Sequence, residues 1–398
     1  MAGANTKTAG SAPDKGKKRR FSLFSVREGE IDIVFLLLIM VLLVIGLLAL
    51  FSASFAFAYF NFGSSYAFIS RQLGFAAVGV VAMLLISTID YRILRPFAWP
   101  LLLLTVVLLA WSLTFPHDGA RRWINLGFTT LQPSEIAKFA VVVMFAHLSL
   151  KNEAYLSSKR VGLKKNVTRG LLPFLFVLGV ILVPMWRQPH LSGMILIFSI
   201  GAVMMLVGGL DIKWFMMAGA SAVFGVFIVI TTGLIGYAEG RITSWLRPET
   251  DPRGVGFQIL QSLYAIGSGG MMGVGVGASR QKFLYLPEPQ NDFIFAIVAE
   301  EVGFVGATVI ILLFAMLVWR GFVIALRCKD RFGSMLAIGF TAQVGLQTIL
   351  NIMVVTNTVP NTGISLPFFS YGGTALLMLL GQMGLVLSIS RKSMVEKK

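Results

Sequence analysis

Residues Ile33–Phe51, IVFLLLIMVLLVIGLLALF, decide the fold: nineteen consecutive residues carry no charge. As a helix this stretch is about 28 Å long at ~1.5 Å per residue, against a bilayer hydrocarbon core of about 30 Å. Basic residues precede it and Ser52-Ala53-Ser54 follows, as around a secretory leader. The apolar run is too long for a leader's core, so it reads as an uncleaved anchor. Comparable runs recur along the chain. They predict spans at about 31–53, 72–89, 97–115, 134–150, 170–186, 191–209, 213–236, 296–319, 334–355 and 373–390. Pro184 and Pro189 separate the fifth from the sixth.

Composition points the same way. Hydrophobic residues make up 56% of the 398 positions and charged residues 13%, with a mean hydropathy of +0.80. A soluble domain carries about 25% charged residues. The expected fold is an all-α integral membrane protein of about ten transmembrane helices, with a large extracellular loop between helices 7 and 8. Residues 1–30 read as a disordered basic tail, 31–390 as one polytopic domain with its outer loop at about 237–295, and 391–398 as a short tail. No internal repeat of the kind found in secondary transporters is visible. The Pro184–Pro189 break has no counterpart in the second half of the sequence.

The net charge of +16 is a topology signal. With both termini cytoplasmic, 24 of the 34 basic residues face the cytoplasm, nine face outward, and Lys138 lies within a span. This is the positive-inside bias. Lys17-Lys18-Arg19-Arg20 would sit against anionic membrane lipids. No soluble basic domain exists to bind nucleic acid. The single cysteine, Cys328, excludes an internal disulfide, and His117, His147 and His190 lack metal-ligand spacing.

The outer loop holds a glycine run, Gly267-Ser268-Gly269-Gly270 through Gly277, whose Gly273-x-Gly275-x-x-Ala278 fits a relaxed dinucleotide fingerprint. No strand–helix unit surrounds it, so close backbone packing explains the glycines better. Asp292 stands just before an apolar helix and reads first as a cap. Glu300 and Glu301 lie deeper, where carboxylates need a polar surrounding. Ser134 reads as the cap of a helix on which Glu135 and Lys138, at i and i+3, share a face. That pair is either a structural ion pair or, with Arg122 and Arg71, a cationic site for an anionic headgroup.

These motifs together resemble the SEDS family of bacterial cell-wall proteins, whose members include FtsW, RodA and SpoVE. The match runs through Leu50-Phe51-Ser52-Ala53-Ser54, Arg71-Gln72, Arg122-Trp123-Ile124-Asn125-Leu126-Gly127, Gln132-Pro133-Ser134-Glu135 with Lys138, and Gln188-Pro189. It is strongest at Tyr285-Leu286-Pro287-Glu288, Asn291-Asp292-Phe293-Ile294-Phe295 and Glu300-Glu301-Val302-Gly303. It ends with Pro360-Asn361-Thr362-Gly363 and Leu366-Pro367-Phe368-Phe369-Ser370-Tyr371-Gly372-Gly373. One departure is His190, where family members often have Asp.

The resemblance implies a peptidoglycan glycosyltransferase that polymerises lipid II into glycan strands at the outer face of the cytoplasmic membrane, in division, elongation or sporulation. It implies a class B penicillin-binding protein as partner, among other divisome or elongasome membrane proteins. The catalytic aspartate matches Asp292. The important polar positions match Arg71, Arg122, Trp123, Gln132, Glu135 and Lys138. In that chemistry Asp292 is the general base, and Arg122, Lys138, Arg71 and Lys282 are candidates to hold the departing pyrophosphate. Trp123 packs on a sugar or the polyprenyl chain, or anchors at the interface. A divalent cation, Mg or Mn, would suit the pyrophosphate, but no carboxylate cluster demands one. A precursor flippase and a non-catalytic scaffold are the rival classes.

Overall fold

The computed structural model describes residues 30–114, 122–125, 127, 130–188, 190–220, 245–250 and 256–395. In chain order the helices are α1 (Ile33–Phe62), α2 (Ala67–Thr88), α3 (Ala98–Thr114), α4 (Pro133–Lys151), α5 (Leu163–Arg187) and α6 (Leu191–Val207). There follow α7 (212–220), α8 (Phe257–Gly269), α9 (Ile294–Arg327), α10 (Arg331–Val355) and α11 (Gly373–Val395). Seven of these are long and apolar enough to cross a membrane, and α3 and α6 are shorter apolar helices. The chain is a helical integral membrane protein. Nine of the ten expected spans fall among the described residues; the other, 213–236, starts as α7, and residues 221–244 lie outside them.

Several boundaries differ from the sequence expectation. Helix α1 runs past residue 53 to Phe62 because Ser52, Ala53, Ser54, Ala56 and Ala58 are buried against neighbouring helices rather than facing lipid. Helix α5 begins at Leu163 through a π-helical stretch, Asn166–Leu171. It is pinned there by the Asn166 amide, which donates to Tyr155 O and Leu156 O at 2.9 and 2.8 Å. It then continues through Pro184. Helix α11 passes residue 390 and ends at Val395.

Helices α4 and α10 form the centre. The most apolar window of α4 is 78% buried inside protein, against 28% for α2, whose outer face is left for lipid. Helix α4 packs on α3, α6 and α10, while α2 packs on α11 and α1 packs on α2 and α9.

Two helices measure the membrane. Asp32 at the start of α1 pairs with Arg320 of α9 at 2.9 Å. From that level, about 30 Å of hydrocarbon at ~1.5 Å per residue is about 20 residues. Both rulers therefore place the far boundary near Ser52 on α1 and Glu300–Glu301 on α9. The structure brings those residues together: Lys282 Nζ reaches Glu301 Oε1 at 3.2 Å and Ser52 Oγ at 3.0 Å.

At the same level α9 breaks. Gly303 adopts φ +68° inside the helix. In a regular helix the amides of Phe304 and Val305 would bond the carbonyls of Glu300 and Glu301. Here they bond Gly270 O and Met271 O at 2.9 and 3.1 Å. The freed carbonyls accept from Val274 N and Gly275 N, both at 3.0 Å. The glycine run thus slots into the helix and pairs all four groups. A Cβ at Gly273 would overlap the Glu301 carbonyl, and one at Gly303 the Gly273 amide. A broken helix in the second half was not expected from sequence; Gly303 supplies it, and the glycines serve backbone packing.

Candidate active site

A cavity of about 880 Å³ opens at this end of the bundle, between α2, the start of α4, the start of α6 and the segments around 288–292 and 363–375. One wall comes from a two-residue hairpin, β1 (Ile124–Asn125) on β2 (Thr130–Leu131), antiparallel with Ile124 opposite Leu131. Ile124 is buried, which sets the hairpin's inward face, and Thr374 Oγ1 ties it to α11 by donating to Thr130 O at 3.2 Å. The pairing carries Arg122-Trp123 up to Gln132. The Arg122 Nε donates to Gln188 O at 3.2 Å. Gln188 is itself clamped, its amide donating to Leu109 O and Ser112 Oγ at 3.0 and 2.8 Å.

Helix α4 starts at Pro133, whose ring suits a first helical position. Gln132 occupies the cap position without a side-chain capping bond, so Ser134 lies inside the first turn and is not the cap. Glu135 and Lys138 do share a face: Nζ to Oε1 is 2.8 Å, with side chains only 11% and 5% exposed.

Asp292 is not a cap either. Phe293 holds the cap position of α9, with no side-chain capping bond. Among the described residues no donor bonds the Asp292 carboxylate, which lines the cavity. Its backbone is held tightly instead. Buried Asn351 of α10 donates from Nδ2 to Asp292 O at 2.7 Å and to Ile364 O at 2.6 Å. Ser370 Oγ donates to Asn291 O at 2.7 Å, and Tyr371 N to Gln290 O at 2.9 Å. Gly363, at φ +68°, passes so close that a Cβ there would sit 2.9 Å from Asp292 Oδ2. Burial pushes the Asp292 carboxyl up to about 6, the Glu288 carboxylate adds to this, and Arg122 opposes it.

Seven of the eight site residues expected from sequence line this one cavity: Arg71, Arg122, Trp123, Gln132, Glu135, Lys138 and Asp292. Lys282 does not. It is 3% exposed, paired with Glu301 beneath the glycine run, and cannot reach a pyrophosphate in the cavity. Glu300 is likewise engaged elsewhere, accepting from Ser279 Oγ at 2.5 Å and from Arg280 N at 3.0 Å. Sequence reasoning passed over Asn351 and Gly363 as positioning residues, and His190 and Ser134 as cavity walls. A buried amide in an apolar helix was the available signal for Asn351.

A model of the FtsW/RodA/SpoVE family, described as cell cycle proteins, matches residues 32–395. The chain belongs to that family. Stage V sporulation protein E of Bacillus subtilis (strain 168) is 41% identical over 369 residues, covering 91% of this chain and 97% of the relative. A probable peptidoglycan glycosyltransferase FtsW of Trichlorobacter lovleyi is 37% identical over 370 residues, covering 92% and 94%. The crystal structure of Rod shape determining protein RodA of Thermus thermophilus superposes with a TM-score of 0.64 at 25% identity, over 91% of this chain and 97% of that one. A chain from work on coordinated polymerization and crosslinking by a peptidoglycan synthase complex gives 0.74 at 24% identity, over 91% and 98%. As a member of the FtsW/RodA/SpoVE family with these spans, the chain is a multi-pass protein of the bacterial cytoplasmic membrane. Within that family fold, the cavity gathers residues from α2, α4, the hairpin and the turn before α9, far apart in sequence.

Proposed function

We propose that this chain is a peptidoglycan glycosyltransferase that polymerises lipid II, a disaccharide-pentapeptide on polyprenyl pyrophosphate, at the outer face of the membrane. One observation carries the reading. A carboxylate with no donor among the described residues, Asp292, shares a single cavity with Arg71, Arg122 and Lys138. Asp292 stands just before α9, at the end of the bundle where the cavity opens.

Transfer needs the 4-hydroxyl of an acceptor sugar to attack the anomeric carbon of a donor. The new glycosidic C–O bond forms as the bond to pyrophosphate breaks, the hydroxyl proton passes to Asp292, and polyprenyl pyrophosphate leaves with the electron pair. With its carboxyl raised to about 6, Asp292 is mostly ionised at pH 7 and still a stronger base than an ordinary aspartate. Arg122, Lys138 and Arg71 hold the leaving charge, a contribution of about 3 kcal/mol per donor at comparable electrostatic sites. Glu135 steadies the Lys138 ammonium, Gln132 offers an amide to the substrate, and Trp123 offers a flat apolar face to a sugar or the polyprenyl chain.

The described residues include no group of three potential metal ligands together. A Mg or Mn ion would arrive with the pyrophosphate as part of the substrate. The break in α9 does not favour a transporter, because its freed backbone groups are paired by the glycine run rather than turned toward a cavity.

The charge asymmetry of the loops supports cytoplasmic termini, and labelling of Cys328 only from the cytoplasmic side is the expected check. The partner is a class B penicillin-binding protein, supported by the family and by the fold shared with a chain of a synthase complex. The test is conversion of lipid II to glycan strands by the purified chain with each such partner. Movement of lipid II across vesicles without polymer would establish the flippase instead.

A further inference from the structure

Two side-chain amides each join the segment that carries Asp292 to the segment of Gly363. One is Asn351 of α10, which bonds Asp292 O and Ile364 O. The other comes from α8. Half-buried Gln258, in its first turn, donates from Nε2 to Pro287 O and accepts at Oε1 from Asn361 Nδ2, both at 3.3 Å. An amide can hold both segments because it donates and accepts from one rigid plane.

Each end of this second tie leads to Asp292. Asn361 Oδ1 accepts from Gly363 N at 3.2 Å, and Gly363 is the residue whose backbone crowds Asp292 Oδ2. At the other end, the Pro287 carbonyl belongs to the peptide plane whose rotation is the φ of Glu288. That angle is +46°, in a left-handed region that a non-glycine residue rarely occupies unless held. The Glu288 carboxylate lines the same cavity as Asp292 and is fixed in turn by Asn291 Nδ2, at 3.0 Å. Helix α8 is itself anchored: buried Ser262 donates to Val355 O, at the end of α10, at 2.8 Å.

We infer that Gln258 is a positioning residue for Asp292, setting the turn before α9 against the loop that leads to α11. The inference rests on the glycosyltransferase reading and adds to it a residue outside the cavity that aims the base. The titratable and charged groups lining the cavity with Asp292 are Glu288, Arg122, Arg71, Glu135, Lys138 and His190. Burial and then Glu288 raise its carboxyl, while Arg122 lowers it.

The test uses the purified chain with its penicillin-binding partner in nanodiscs, assayed for glycan-strand formation from lipid II across pH. Gln258→Met keeps the side chain's length and loses both bonds. Its kcat should fall by at least about tenfold, within the ~10²-fold that misplacement by an ångström costs, with KM for lipid II unchanged. The midpoint of its rate–pH curve should also move below 6 toward 3.8, because a loosened turn lets water reach the carboxylate and lets Glu288 draw away. A smaller folded fraction scales that curve without moving its midpoint, so the midpoint separates positioning from stability. Unchanged rate and midpoint overturn the inference, as does a raised KM at wild-type kcat, which would make Gln258 a substrate contact. A lower rate at an unmoved midpoint, or a variant that does not purify as a monodisperse protein, makes Gln258 a structural brace and overturns it too. A wild-type complex that makes no glycan from lipid II overturns the glycosyltransferase reading, and the inference with it.

Discussion

Asp292→Asn should abolish synthesis while making the protein more stable, and both effects can be sized from the structure. The substitution keeps shape and hydrogen-bonding capacity but cannot accept a proton. Loss of a general base costs about 10²- to 10⁴-fold in rate. The stability effect follows from the carboxyl's displacement from its ordinary 3.8 to about 6. Below pH 3.8 the group is protonated in both folded and unfolded chains, and it contributes nothing. As pH rises toward 6 the unfolded chain ionises first, so the folded state is progressively penalised. Above 6 the penalty is complete, at about 3 kcal/mol. Asparagine does not ionise, so the variant should melt higher at pH 7, by up to that amount, and the advantage should vanish near pH 4. The wild-type rate should rise with pH through about 6 and then level off as the base ionises. The assays are melting of purified protein in detergent across pH, and glycan-strand formation from lipid II with the partner present. Wild-type synthesis by Asp292→Asn would refute the base assignment. Lost synthesis with lowered stability at pH 7 would show that the carboxylate is structural.

Lys138→Ala leaves Glu135 as a buried, unpaired carboxylate and should cost about 3–5 kcal/mol of stability, read by detergent melting. Glu135→Gln with Lys138→Met should restore stability but not polymerisation, because the cation is still missing. Gly363→Ala forces a side chain into a left-handed conformation, at about 1–2 kcal/mol, and against Asp292 Oδ2. A displaced carboxylate should cut the polymerisation rate by about 10²-fold while the membrane fold persists by melting. Gly273→Ala should separate the glycine run from α9 and leave four backbone groups unpaired, seen as a lower melting temperature and faster proteolysis after Met271.

The sequence by itself determined the membrane class, nine span positions to within a turn or so at most ends, and the residue that carries the proposed chemistry. It could do so because a bilayer imposes a local rule. Each span must be apolar over about 20 residues and must satisfy its own backbone, so a window of sequence suffices. Family motifs then pointed to Asp292 and to the Glu135/Lys138 pair. Only the tertiary structure decided between cap and free carboxylate at Asp292, because capping depends on where α9 begins, at Ile294. Only it removed Lys282 from the anion site, since a lysine ten residues before Asp292 looks available until Glu301 and Ser52 are seen to enclose it. The helix break at Gly303 depends on pairing with residues some thirty positions earlier, and the Asn351 clamp on contacts between α10 and two separate loops. Local patterns report how each segment meets lipid. Charge pairing, broken helices and cavity walls depend on which segments meet each other, and no single window of sequence contains that.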